Sequence, residues 1–166
     1  MAKGPRYRVN FRRRREGRTD YRQRQRLLRA RVPRAVVRLS LRNAVVQFVD
    51  FEFEGDKVLA QASSKELTKM GWTGATGNIP ATYLTGYLAG KRALANGVEE
   101  AVLDIGQKVP AKGSNVFAAL KGMVDAGVEI PYGEGVFPSE ERLAGKHINE
   151  DIEKMIEEVK SRMEAD

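Results

Sequence analysis

The sequence has no cysteine and a single histidine, His147. Without cysteine there is no disulfide, no thiol nucleophile and no sulfur-ligated zinc, and the chain suits a reducing compartment. One histidine in a charged C-terminal stretch reads as a surface residue rather than a general base or metal ligand. No run approaches the roughly 18 apolar residues of a membrane span, and the N-terminus lacks a secretory apolar region, so a soluble cytoplasmic protein with no membrane partner is expected. Nucleophile elbow, Walker sequence and paired metal-binding histidines are all missing. The expectation is therefore no enzyme: no catalytic residue, metal, cofactor or small-molecule substrate.

Acidic residues are scarce in one region only. Residues 3–42, KGPRYRVNFRRRREGRTDYRQRQRLLRARVPRAVVRLSLR, carry sixteen basic side chains against Glu16 and Asp20, a net +14. The whole chain carries +7, so residues 43–166 carry −7. A basic arm on an acidic body is suited to holding a polyanion at one end. Fifteen of the sixteen cations are arginine, whose planar fork matches phosphate and whose flat face stacks on bases. Tyr7, Phe11 and Tyr21 are interleaved among them, as expected where unpaired bases are stacked, which favours RNA over a generic acidic partner.

Arg12, Arg13, Arg14 and Arg15 repel one another, and no apolar period before residue 27 offsets the entropy of ordering them, so the free arm is expected to be disordered. A solvated tail, a nuclear-localisation patch and an anionic-membrane tether are the blander readings. The tether is disfavoured because the arm's one helix lacks an apolar face wide enough to insert. That helix is capped by Thr19 or Asp20 and runs to about Ala30 before Pro33. Arg18, Arg22, Arg26 and Arg29 fall in one stripe, with Tyr21 and Leu28 on a neighbouring face.

The remainder, about 125 residues, is a normal size for one domain with a real core. Ala35, Val37, Leu39 and Leu41 alternate onto one face of a first strand, with Arg34, Arg38 and Ser40 on the other. A tight turn at Arg42-Asn43 returns the chain as NAVVQFVDFE, placing Ala44, Val46 and Phe48 opposite Leu41, Leu39 and Val37. Glu54-Gly55-Asp56 turns into KVLAQASS, completing an antiparallel meander. Asn78 caps a helix that holds Pro80 in its first turn and ends at Asn96-Gly97. Gly86 and Gly90 on that helix imply close approach to the sheet. VEEAVLDIG is a strand. KGSNVFAALKGMVDAG is a helix capped by Ser114, burying Val116, Leu120, Met123 and Val124 and stopped by Gly127; Val128 to Ile130 is a short strand. Strands alternating with helices after a meander give an α/β layered domain, a mixed β-sheet with helices packed on it. In residues 139–166, Ile148, Ile152, Met155, Ile156, Val159 and Met163 recur at helical intervals, as an amphipathic helix lying on the body or as one that docks on another protein.

Gly71, Gly74 and Gly77 form G-x-x-G-x-x-G, in neither the P-loop nor the dinucleotide register. The stretch reads as an irregular loop near an RNA backbone with Trp72 available to stack, or as a plain connection with Trp72 in the core. The element order also suits a two-metal nuclease. Against it, arginine stands where the leading acid would be, and Asp104 is largely alone on its strand.

The blocks GPRYRVNFRRRREGRTDYRQRQRLL, GWTGATGNIPATYLTG and GVEEAVLDIGQKVPAKGSNVFAALKGMVDAGVEIP resemble the archaeal type of large-subunit ribosomal protein eighteen, the family that carries 5S ribosomal RNA. The match runs over about residues 1 to 138. It implies a ribonuclease-H-like-motif architecture with a basic N-terminal extension. It also implies binding of 5S rRNA and its attachment to 23S rRNA in the central protuberance of the large subunit, near large-subunit ribosomal protein five and other central-protuberance proteins. The chain divides accordingly into a basic arm with a short helix (1–32), an α/β globular 5S rRNA-binding domain (33–138) and a C-terminal helical tail (139–166). The family's RNA-binding arm maps onto Arg6, Tyr7, Arg8, Arg12, Arg13, Arg14, Arg15, Arg18, Tyr21, Arg22 and Arg26. Its loop before the first long helix maps onto Trp72, Thr73, Thr76 and Asn78. Arg38, Arg42, Asn43 and Ser64 join them on geometric grounds. Relatives often continue through a longer C-terminal region than the stretch ending at Asp166. A general RNA chaperone without a preferred RNA is the alternative function.

Overall fold

The computed structural model describes residues 4–149 and 151–165; Lys3, the first cation of the arm, lies outside the described residues. Alternation along three strands makes the sheet. β1 (Arg34–Leu39) turns Ala35 and Val37 to the core, β2 (Ala44–Asp50) adds Ala44, Val46 and Phe48, and β3 (Lys57–Ser63) adds Ala60 and Ala62. These three pair antiparallel, and β4 (Val102–Asp104) pairs parallel to β1, giving the order β3-β2-β1-β4. The result is the mixed α/β sheet that the element order implies.

The hairpin register differs from the sequence expectation by two residues. Leu39 faces Ala44, Val37 faces Val46 and Ala35 faces Phe48, because the turn spans four residues instead of two. The Ser40 hydroxyl donates to the Asn43 carbonyl and accepts from the Asn43 N–H, each at 3.0 Å, so the side chain completes a wider loop. A shift of two keeps every core residue on its face, whereas a shift of one would invert them all. Only Leu41 changes place, to full exposure. The expected strand over 98–106 shortens to β4, and the expected strand at Val128–Ile130 reduces to a single bridge between Glu100 and Glu129.

On the core face lie α3 (Ile79–Ala95) and α4 (Asn115–Asp125). Asn78 caps α3 as expected, its Oδ1 accepting the Ala81 N–H at 2.9 Å. Ser114 occupies the N-cap position of α4, but its hydroxyl makes no cap bond and is buried without a partner. The helical glycines serve a different contact from the one expected. A Cβ on Gly86 would collide with the Ala119 carbonyl, one on Gly90 would sit 2.7 Å from the Ala126 Cβ, and one on Gly122 would strike the Tyr83 carbonyl. They let α3 meet α4 backbone to backbone, not α3 meet the sheet.

After α5 (Glu140–Leu143), α6 (Asp151–Ala165) packs on α3 and on the short 3₁₀ turn Glu66–Met70. It buries Ile152, Ile156, Val159 and Met163 as one stripe, while Ile148 remains half exposed. Polar bonds fix its register: Lys160 Nζ donates to the Tyr83 hydroxyl at 2.6 Å, the Tyr87 hydroxyl to Glu164 at 2.8 Å, and Arg162 to the Met70 carbonyl at 2.7 Å. Burial, then the Glu164 bond and charge, push the Tyr87 phenol up to about 12. The C-terminal stretch is thus the amphipathic helix on the body, closing a third layer over α3.

Candidate nucleic-acid interface

The arm folds as α1 (Arg12–Arg15) and α2 (Tyr21–Leu28), neither burying a residue. Asp20, not Thr19, caps α2, accepting the N–H groups of Arg22 at 2.9 Å and Gln23 at 3.2 Å. Those backbone bonds, Gln23 first, hold the Asp20 carboxyl below its ordinary value. Thr19 instead accepts a bond from Arg13 Nε at 2.8 Å, which ties the four-arginine turn to the base of α2. The helix stops at Leu28, two residues before the expected end.

α2 lies over the sheet face opposite α3 and α4, and a chain of five charged residues holds it there. Arg24 grips Asp56 through two bonds of 2.9 and 2.6 Å; Asp56 also accepts from Arg34 at 2.6 Å; Arg34 donates to Asp104 at 2.7 Å; and Asp104 accepts from Arg38 at 3.1 Å. The Arg24 bonds lower the Asp56 carboxyl. Burial pushes the Asp104 carboxyl up, but the Arg38 charge, the Gly106 N–H and the bonds from Arg38 and Arg34 outweigh it, so Asp104 also sits below its usual value. A carboxylate engaged this way acts as a counter-ion for two guanidinium groups. Arg34, expected on a charged open face, is only 3% exposed, with Nε unpartnered. Part of the arm's charge is therefore neutralised inside the protein.

Between α2 and the sheet lies a cleft of about 730 Å³. Of the sequence-expected residues, Arg13, Arg18, Tyr21 and Arg38 line it. Arg6, Tyr7, Arg8, Arg12, Arg14, Arg15, Arg22 and Arg26 are exposed outside it. Of these, Arg12 lies 3.8 Å from Glu16, which also approaches Arg18 at 3.1 Å. The outer side of the arm is thus a track of solvent-facing guanidinium groups.

A second cluster forms where the β1–β2 turn meets the loop before α3. The Thr76 hydroxyl donates to the Arg42 carbonyl at 2.5 Å and lies 3.3 Å from Asn43 Oδ1. A Cβ on Gly77 would come within 2.8 Å of the Leu41 carbonyl, so glycine permits the contact. Asn115 of α4 pins the Gly77 carbonyl at 2.8 Å. Arg42, Asn43, Thr76 and Asn78, from two distant stretches of the sequence, are therefore brought together, although the Asn78 side chain is engaged as a cap; Thr73 turns instead to α6, its N–H and hydroxyl on the Met155 sulfur at 3.4 and 3.6 Å. Two expected contact residues lie beneath the loop. Trp72 is 2% exposed with its indole N–H on the Ala75 carbonyl at 3.2 Å, and Ser64 is fully buried, accepting the Ala44 N–H at 2.9 Å. Of the two readings for Trp72, the structure has the core one, and Ser64 fastens β2 beside the loop instead of facing solvent.

Two exposed aromatic residues that the sequence reading did not single out, Phe51 and Phe53, lie on the loop between β2 and β3. Both are exposed and meet edge to face, 5.6 Å between centroids. Their parity was a usable signal. With Ala44, Val46 and Phe48 facing the core, continued alternation would put residues 51 and 53 on the opposite face, where both line the cleft, although β2 itself ends at Asp50.

A family model described as ribosomal large subunit proteins 60S L5 and 50S L18 matches residues 5–100 and 96–133. The chain is 57% identical over 165 residues, 96% of its length and 95% of the relative's, to the large ribosomal subunit protein uL18 of Methanoregula boonei. It is 54% identical over 158 residues, 95% of its length and 82% of the relative's, to that of Methanothermobacter thermautotrophicus. To that of Korarchaeum cryptofilum it is 53% identical over 158 residues, 95% and 81% of the two lengths.

Proposed function

The chain belongs to the uL18 family of large-subunit ribosomal proteins, and from that membership we propose that it is a structural component of the large ribosomal subunit, binding 5S rRNA and helping attach it to 23S rRNA in the central protuberance. Large-subunit ribosomal protein five and other central-protuberance proteins are its neighbours there, in the cytoplasmic ribosome. No bond is made or broken. In this reading residues 1–32 are the RNA-binding arm, 33–138 the globular domain and 139–166 a helical C-terminal segment. An antiparallel meander whose first strand is flanked by a parallel fourth strand supports a ribonuclease-H-like architecture.

The observation that carries the reading is the set of arginines on the arm, Arg6, Arg8, Arg12, Arg14, Arg15, Arg22 and Arg26, that are exposed to solvent outside the cleft. Guanidinium groups in water bind phosphates by releasing condensed counterions, and they follow a backbone without reading its sequence. Selectivity for one folded RNA then comes from shape. Arg42, Asn43 and Thr76 supply it on a surface fixed by the Thr76 and Asn115 bonds, with Thr73 beside α6 and with Trp72 and Ser64 buried beneath the loop.

Filter binding with 5S rRNA over a salt series tests this. With about seven cations on phosphate, log K falls against log salt with a slope of roughly −5, taking about 0.7 per contact for single strands. Competition by tRNA should leave 5S rRNA strongly preferred. A slope near zero removes the electrostatic mechanism, and equal affinities for the two RNAs replace the ribosomal reading with a general chaperone.

A further inference from the structure

The β2–β3 loop, residues 51–56, forms one lip of the cleft under α2. Phe53 is 100% exposed and Phe51 43%, and both line the cleft. Phe53 wholly and Phe51 partly in water keep apolar surface that a bound partner would bury. We propose that Phe51 and Phe53 stack an unpaired nucleobase of the RNA held by the arm. This rests on the RNA-binding reading above and adds to it a base-contacting site on the body.

The charge arrangement around the rings selects a base over other occupants. Along the floor, Arg24, Arg34 and Arg38 are already engaged by Asp56 and Asp104. Asp20 and Glu52 line the cleft as well, so four carboxylates face its five guanidinium groups and the nearly balanced charge suits a neutral group better than a phosphate. Arg13 and Arg18 line the same cleft, and the exposed arginines of α1 continue outward from it. Backbone phosphates thus stay at the mouth while the base turns in. The Arg24 guanidinium sits 5.9 Å from the Phe51 centroid, fixing that ring with a cation over its face. Phe53, meeting Phe51 edge to face, keeps its own faces open to a flat partner. From the arm side the cleft is lined by Tyr21, itself paired with Phe11 at 5.9 Å between centroids. A volume of about 730 Å³ lies within the usual range of about 300–1,000 Å³ for ligand-sized sites. Every base has a π-face, so such a site holds a splayed nucleotide whatever its identity.

The test measures 5S rRNA affinity and its salt slope for the full chain, F51A/F53A and F53Y. Stacking is worth about 1–3 kcal/mol per base, so F51A/F53A should bind about 5- to 150-fold more weakly with an unchanged salt slope, and F53Y should restore binding. In F53W, indole fluorescence should be quenched as 5S rRNA is added, above any change from the buried Trp72 seen in the unsubstituted chain. Binding by F51A/F53A within twofold of the parent, or F53W without quenching, overturns the proposal and leaves the 5S rRNA reading intact. A parent chain that binds 5S rRNA no better than tRNA overturns that reading instead. Full RNA affinity in F51A/F53A with lost incorporation into large subunits would put a protein side chain on the rings and also overturn the proposal. Phe53 is fully exposed, so F53Y and F53W should unfold at the parent's temperature, and F51A/F53A, which also loses the Arg24 contact, within a few degrees of it.

Discussion

Arg34 shows how a single residue can have the charge of the arm and the role of the core. Its guanidinium lies between Asp56 and Asp104 and is almost wholly buried, so removing a partner leaves a charge that water cannot reach. Asp104→Ala should cost about 3 kcal/mol or more, the range for breaking a buried pair, read as a lower urea midpoint. Asp56 and Asp104 are both held below their ordinary 3.8. Their charged forms are thus favoured by folding; the stabilisation is complete above about pH 4 and is lost as pH falls through the folded values. The parent's urea midpoint should decline steeply below about pH 4, and D104N should show a shallower decline. None of this could be read from the sequence, where Arg34 belongs to a basic run. Its partners lie 22 and 70 residues away, and only the pairing of β1 with β4 brings Asp104 beside it.

At the scale of elements, what could be read depended on whether the cause was local. The start of α3 was legible because Asn78 and Pro80 act within one turn, and the core face of the hairpin because alternation is local. The register was not, because the Ser40 side chain widens the turn, nor was the partner of the glycines, because α4 meets α3 only in the folded chain. Gly122 gives the sharpest test. Alanine in an exposed helix gains about 1 kcal/mol over glycine, but here its Cβ would press on the Tyr83 carbonyl and lie 2.7 Å from the Tyr87 N. Gly122→Ala should therefore reverse the usual sign and destabilise by about 1–3 kcal/mol, the range for overpacking, measured by thermal unfolding.

Apart from the buried Arg34–Asp104 pair, charge and core are segregated across the molecule. α1 and α2 bury no residue, while the core runs through the sheet, α3, α4 and α6. A chain lacking residues 1–32 should keep its cooperative unfolding transition, yet lose more than about half of the roughly −5 salt slope, as filter binding with 5S rRNA would show. The parallel contact between β1 and β4 also has a consequence in time. Arg34 is made 70 residues before Asp104, and at about 5–20 residues per second some 4–14 seconds separate them. Asp56 follows Arg34 by only 22 residues, but through the rest of that interval the second carboxylate that will bury Arg34 is still to be synthesised while the arm's exposed arginines already face any RNA nearby.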